Sequence, residues 1–190
     1  MNRNDFGELL REWKELLSEG EASVGRIMKM IKGIEAISRE MGKKCKIRYV
    51  LGREYGRIEY DIEGDVISGA IDFERLSRGG KLGDFIIFET FPITSGYGPL
   101  LYEILIEKAS EVGVCLMSDR EKVSDSARAV WDKYLSRDDI KHKNIDDNEE
   151  KNIDKGNSLA KCYRKPGELV ILNKLRDSDF IDFIEVGDNI

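Results

Sequence analysis

Two glycines separated by one residue, Gly96 and Gly98, lie between an apolar run over 84–91 and an amphipathic run over 99–112. Because glycine adopts backbone angles that are closed to other residues, consecutive N–H groups of such a turn can point at one spot. The positive end of the following helix dipole adds to the attraction for an anion. The spacing therefore predicts a site for a phosphate or pyrophosphate. The simpler interpretation is a plain turn that connects a strand to a helix.

A carboxylate interrupts the apolar run that precedes these glycines. Glu89 stands between Phe88 and Thr90, and burying a carboxylate is costly unless it is paired or hydrogen-bonded. In a cleft, such a group can act as the base that deprotonates an attacking amine, directly or through water. The alternatives are an ion pair with an Arg or Lys of a neighbouring strand, or exposure to solvent. Asp119 is a second candidate base, although Arg120 beside it is a potential structural partner.

Charge and cysteine content exclude several classes of function. The chain carries 31 basic and 37 acidic residues without a dense basic stripe, so a nucleic-acid partner is not expected. The three cysteines are widely spaced and form no Cys-x-x-Cys pair, so neither zinc nor a disulfide framework is predicted. No run approaches the ~18 apolar residues of a membrane span, and the first residues are too charged for a signal peptide. The expectation is a reducing, cytoplasmic setting without membrane contact.

The hydrophobic periods of the chain predict a scaffold of mixed type. Apolar residues recur at helical spacing over 6–17 and 21–41, and then alternate with polar residues in three runs divided by glycine-containing turns. The alternating runs are 45–51, 56–63 and 66–73. A fourth, more apolar strand, a helix and a short fifth strand follow, and such a crossover implies parallel pairing. The predicted class is α+β: a mixed sheet, with an antiparallel meander and a parallel fourth and fifth strand, flanked by helices.

Two parts of the chain are distinguished by composition. Residues 1–43 are predicted to form an N-terminal helical segment that packs on a domain formed by 44–190. The stretch 138–157 is mostly Asp, Asn, Lys and Glu, too polar to bury, and is predicted to be a mobile loop. Further expectations are a strand near 158–165, a short helix or strand near 169–175, and an acidic surface tail over 177–190.

In this order of elements the chain resembles the GCN5-related N-acetyltransferase (GNAT) superfamily. In that superfamily the fourth strand ends in a loop written R/Q-x-x-G-x-G/A, whose amides hold the pyrophosphate of acetyl-CoA while the strand pairs with the pantetheine arm. Gly96 and Gly98 match the glycines, and Ile93 stands at the Arg/Gln position. The resemblance implies acetyl-CoA as the cofactor, held by Phe91, Ile93, Ser95, Gly96, Tyr97, Gly98 and Leu100.

The resemblance also implies roles for an acid and a base. Members of the superfamily often carry a tyrosine, on the helix after the fifth strand, that protonates the departing CoA thiolate. Here Trp131 stands at that position, and Tyr134 is the nearest hydroxyl on the same helical side. The implied activity is acyl-CoA-dependent transfer of an acetyl group to an amine-bearing acceptor, with Glu89 as base and Tyr134 as acid.

The two departures from the motif, Ile93 and Trp131, favour a function of another class. Without the side-chain contact to pyrophosphate and without the usual acid, the same fold would serve as a GNAT-like binding or interaction module that lacks turnover. The retained glycines favour the enzyme. The segments 98–102, 118–120 and 123–131 are also similar to a divergent GNAT-like group of tailed bacteriophages, which implies a host cytoplasm or a virion as the location.

Overall fold

The computed structural model describes residues 23–62, 67–76, 84–91, 97–119, 123–145 and 157–187. Within these ranges the chain forms four α-helices, one 3-10 turn (Ser158–Ala160) and eight β-strands. The helices are α1 (Ser23–Met41), α2 (Gly98–Glu111), α3 (Asp125–Leu135) and α4 (Val170–Arg176). The strands are β1 (Cys45–Leu51), β2 (Tyr55–Ile62), β3 (Ile67–Arg75), β4 (Phe85–Thr90), β5 (Leu116–Ser118), β6 (Lys141–Asn144), β7 (Lys161–Arg164) and β8 (Ile181–Gly187).

All eight described strands belong to one mixed sheet. Their order across the sheet is β6-β7-β5-β4-β3-β2-β1-β8. The β4–β5 and β1–β8 pairs are parallel, and the remaining neighbours are antiparallel. The structure therefore confirms the predicted class, an antiparallel meander joined to a parallel β4/β5 pair and flanked by helices. The β4–α2–β5 crossover accounts for the parallel pair, because parallel neighbours need a long connection.

The hydrophobic periods explain how the helices pack on the sheet. In β1 the residues Cys45, Ile47, Tyr49 and Leu51 turn inward, while the residues between them are exposed. The inward face meets α1, whose buried stripe includes Ile27, Met30, Ile31, Ile34 and Ile37. These residues recur at helical spacing, so one side of α1 is covered. No helix in the described ranges is long and apolar enough to cross a membrane.

The structure differs from the sequence-based expectations at two strands. Part of the predicted loop, Lys141–Asn144, is strand β6, although all four side chains are exposed; residues 146–156 lie outside the described ranges. The predicted surface tail contains strand β8, which pairs with β1 along its whole length. Its acidic character is tolerated because Glu185 pairs with Lys108 and Arg176. Residues 1–22 of the predicted N-terminal segment lie outside the described ranges.

Two cysteines that are distant in sequence meet in the sheet and form one disulfide, a pair that the expectation of no disulfide framework did not foresee. Cys115, just before β5, forms a disulfide with Cys162 of β7, across a Cα–Cα distance of 5.6 Å. The 47-residue separation hid the pair, since the sequence did not place β7 beside β5. Cys45 is a free, buried thiol.

Candidate functional site

Pairing between the two central parallel strands ends before the carboxyl end of β4. Pairing of β4 with β5 stops at Ile87 and Ser118, and the Asp119 N–H then donates to the Ile87 carbonyl at 2.9 Å. Strand β4 continues to Thr90, so its last three residues extend beyond β5. A cavity of about 170 Å³ opens at this point. We call it the interstrand cavity.

Carboxylates, hydroxyls and an aromatic floor line the interstrand cavity. Strand β4 and the end of β5 contribute one carboxylate each, and α2 and α3 close the inner side. The groups that could take part in chemistry are Glu89, Asp119, Tyr102, Ser118 and Ser124, with Trp131 beneath them. The lining thus provides both proton acceptors and a phenol, which suits a reaction that moves a proton on and off a bound molecule.

Glu89 lies in this cavity with its side chain exposed. The register of the β3–β4 ladder shifts between Asp72 and Phe73, which leaves Phe88 as a bulge just before Glu89. Bulges often lie next to active sites, where they turn a side chain toward a new direction. In the described part of the chain, the ion pairs of Arg57, which lies on β2 two strands away, go to Glu59 and Asp72. The carboxylate of Glu89 is therefore accessible to a ligand.

Tyr134 is buried behind the interstrand cavity rather than in its lining. Its hydroxyl donates to Glu103 Oε2 at 3.3 Å. Burial, and then the charge of Glu103, raise the pKa of Tyr134 well above its usual range. The ring of Trp131, 5.8 Å away, lines the cavity instead. The structure brings Glu89 and Trp131 to one cavity whose lining does not include Tyr134, so the role predicted for Tyr134 stays a prediction.

Tyr102 is the cavity residue that sequence reasoning missed. It lies on α2, is 4% exposed, and packs edge-to-face on Trp131 at 5.8 Å. Burial raises the pKa of Tyr102 to about 12, so the phenol is protonated at neutral pH and can donate a proton. No specific signal marks Tyr102, because it occupies an ordinary position in an apolar helical run.

Four of the predicted cofactor-binding residues lie in the described ranges, and Ile93, Ser95 and Gly96 lie outside them. The side chains of Tyr97 and Leu100 are buried in the hydrophobic core. The ring of Phe91 lies under the Arg57 guanidinium at 4.4 Å. Gly98 is the first residue of α2.

The start of α2 has two features that bear on anion binding. Gly98 is not among the glycines with positive φ, so the predicted backbone freedom is not used there, and its contribution lies in the missing side chain. The N-cap residue Tyr97 makes no side-chain hydrogen bond to the first turn. Pro99 has no N–H and the Leu100 N–H donates to the Tyr97 carbonyl at 3.1 Å, so the Gly98 amide is the group of this turn best placed to meet an anion.

A second group of polar side chains forms a closed ionic cluster on the other side of α2. Glu103 accepts two hydrogen bonds from Arg137, at 2.7 and 2.8 Å, and one from Lys165 at 3.0 Å. Lys165 also donates to Glu107 at 2.6 Å, and Glu107 accepts the Ile171 N–H at the start of α4. We call Glu103, Glu107, Arg137 and Lys165 the buried ionic cluster.

The buried ionic cluster is held in its charged form. Burial raises the pKa of Glu103, but Arg137 and Lys165 more than offset this effect, so the net pKa lies below the usual range. The side chains of Glu103, Arg137 and Lys165 are 2%, 7% and 5% exposed. The cluster ties α2 to β7, α4 and the end of α3, and it fixes the helix that presents Tyr102 to the interstrand cavity.

Comparison with family models, curated proteins and solved structures finds no match. The fold class therefore stands on strand order and pairing alone. The functional argument depends on the chemistry of the interstrand cavity and of the helix start beside it.

Proposed function

We propose that the protein is an acyl-CoA-dependent N-acyltransferase that transfers an acetyl group to an amine-bearing acceptor at the interstrand cavity. The observation that carries this proposal is the end of β4–β5 pairing at Ile87 and Ser118. Beyond this point no described residue of β5 pairs with the backbone of β4, and an extended ligand such as a pantetheine arm can pair with a strand that has a free side. The uncapped start of α2 would receive the pyrophosphate.

The cavity residues divide the proton transfers between them. Acyl-CoA supplies an acyl group activated as a thioester. Glu89 accepts the proton of the attacking amine, either directly or through a water molecule, and the new bond forms between the amine nitrogen and the acyl carbon. The bond from that carbon to sulfur then breaks, and a tyrosine donates its proton to the thiolate. Tyr102 is the acid that the geometry favours over Tyr134, because Tyr102 lines the cavity.

A binding module without turnover is the second candidate. Trp131 forms the cavity floor at the position where the resembled superfamily has its acid, and indole cannot deliver that proton. The hydroxyl of Tyr134 is engaged with Glu103. In this case the cavity would bind acyl-CoA, or a ligand of similar shape, without releasing a thiol.

The test is calorimetric titration with acetyl-CoA, followed by an assay of thiol release with a panel of amines. Acetyl-CoA binding with thiol release supports the enzyme, and binding without release by any amine supports the module. Absence of binding at about 1 mM, an affinity near −4 kcal/mol, would overturn both.

The variant Gly98→Val locates the site of acetyl-CoA binding. A branched side chain at the start of α2 should obstruct the approach of pyrophosphate to the amides and weaken binding by ~2 kcal/mol, about the loss of two charge-assisted hydrogen bonds. The melting temperature is measured in parallel and should change little. Unchanged acetyl-CoA affinity in a folded Gly98→Val variant would place the pyrophosphate elsewhere.

A further inference from the structure

A second cavity lies on another face of α3. It has a volume of about 180 Å³ and is bounded by α1, the start of α2 and α3. Its apolar wall includes Ile27 and Val130, and its polar lining carries three cations, Arg26, Lys133 and Arg137, with Glu103 as the one carboxylate among the described lining residues. We call it the interhelical pocket. It shares no lining residue with the interstrand cavity.

The three cations of the interhelical pocket differ in whether a carboxylate neutralises them. Arg137 is neutralised by Glu103 and Asp139, at 2.7 and 2.6 Å. Within the described residues, no carboxylate forms an ion pair with Arg26 or Lys133. The polar lining therefore carries an excess of positive charge.

Two features of Arg26 and Lys133 agree with an excess of positive charge in the pocket. The Nε of Arg26 is buried and has no hydrogen-bond partner in the described part of the chain. Burial, and then the charges of Arg26 and Arg137, lower the pKa of Lys133, and the opposing charge of Glu103 offsets this only in part. An unpartnered buried donor is costly, and an acceptor that carries negative charge would relieve both effects.

We propose that the interhelical pocket binds a small organic anion with one carboxylate or phosphate group on an apolar body. The anionic group would lie between Arg26 and Lys133, and the body would pack on Ile27 and Val130. A cavity of roughly 150 Å³ accommodates benzene, so a single ring matches the size of the pocket. This site goes beyond the proposed acyl transfer, since it needs none of the residues of the interstrand cavity.

The binding test titrates the full chain with five probes, and NMR spectroscopy monitors each titration. Benzoate and phenyl phosphate carry both a ring and a charge, benzyl alcohol carries only the ring, and acetate and inorganic phosphate carry only the charge. Benzoate or phenyl phosphate should saturate at about millimolar concentration, and the other three should bind at least ~10-fold more weakly. The tighter of the two ring anions identifies the anionic group. Absence of saturation by both below about 10 mM, or equal binding of benzyl alcohol, would overturn the proposal.

Variants on α3 assign the binding to the pocket. Lys133→Gln should weaken binding of the ring anion by ~10-fold, because it removes one charged partner. Arg128→Gln, at an exposed position of the same helix, is the matched control and should leave the affinity unchanged. Equal affinity in Lys133→Gln and the parent would refute the assignment. The variant Glu89→Gln should bind the ring anion normally, so failure of this proposal is distinguishable from failure of the proposed acyl transfer.

Discussion

The interstrand cavity and the buried ionic cluster lie on two sides of the same helix and use their carboxylates in opposite ways. Tyr102 and Glu103 are adjacent on α2, yet Tyr102 lines the cavity and Glu103 accepts hydrogen bonds from three residues. Glu89 in the cavity is exposed, whereas Glu107 in the cluster is fully buried and engaged. The carboxylate that is neutralised on every side holds elements together, whereas the accessible one, in the same cavity as a phenol, is available for the proposed chemistry.

The largest expected effect is a loss of stability when a substitution disrupts the buried ionic cluster. Replacing Glu103 by Ala leaves Arg137 and Lys165 buried without their shared partner, so Glu103→Ala should lower the free energy of unfolding by about 3 to 5 kcal/mol. Glu89→Gln removes an exposed charge and should change it by less than about 0.5 kcal/mol. Both are measured by denaturant unfolding at pH 7. Similar losses of unfolding free energy in the two variants would show that the carboxylates of the cavity and of the cluster do not differ in their contribution to stability.

For the rate of the proposed acyl transfer, we expect the larger effect from the cavity residue Glu89. Glu89→Gln removes the proton acceptor without altering shape, so acyl transfer should fall by ~10²-fold while acetyl-CoA affinity is nearly intact. Steady-state thiol release measures the rate, and calorimetry measures the affinity. The matched control is Glu168→Gln, an exposed glutamate near α4. An active Glu89→Gln enzyme would remove Glu89 from the mechanism.

A pair of tyrosine variants sharpens the boundary between the two regions. Tyr102→Phe should slow acyl transfer by ~10-fold or more, because the acid of the cavity is lost. Tyr134→Phe removes one of several hydrogen bonds to Glu103 and should cost ~1 kcal/mol of stability with little effect on rate. Rates and unfolding free energies are compared for both proteins. If Tyr134→Phe alone slows transfer, the acid is Tyr134 and the sequence-based assignment is correct.

The smallest expected effect is the pH dependence of stability. The pKa of Glu103 is lower in the folded protein than in the unfolded chain, so its stabilisation is complete above the unfolded value, about 4.3. It is lost as pH falls through the folded pKa. The free energy of unfolding should therefore decline below about pH 5 in the parent and less steeply in Glu103→Gln. Parallel curves from pH 7 to pH 3 would contradict this account of the cluster.

Local periodicity predicted the centre of the fold but not its edges. The alternation of β1 to β3 and the β4–α2–β5 crossover were visible, because each side chain pattern reports which face is covered. Strand β6 gives no such signal, since all its side chains are exposed. Strand β8 depends on Glu185 finding Lys108 and Arg176, a long-range pairing that local patterns do not contain.

The candidate site shows the same limit. Helical spacing indicated that Trp131 and Tyr134 share a side of α3, but it did not indicate which of them reaches the cavity. Helix α2 is buried from Leu100 through Ala109, so Glu103 and Glu107 stand at positions that a single apolar stripe assigns to solvent. The position of Glu89 near the end of a central strand was readable, whereas Tyr102 required the packing of α2 on Trp131.

The contact between β5 and β7 determines whether the outer strands unfold together with the rest of the sheet. Backbone pairing there consists of Leu116 with Tyr163, so the two-stranded unit β6–β7 is coupled to the rest mainly through side chains. Tyr163 stacks on Trp131 at 5.4 Å, and Lys165 reaches the glutamates of α2. The outer strands thus share the stability of the core through an aromatic contact, an ionic contact and the Cys115–Cys162 bond. A change inside the ionic cluster is accordingly transmitted to an edge of the sheet that has almost no backbone hydrogen bonds to the strands carrying the candidate site.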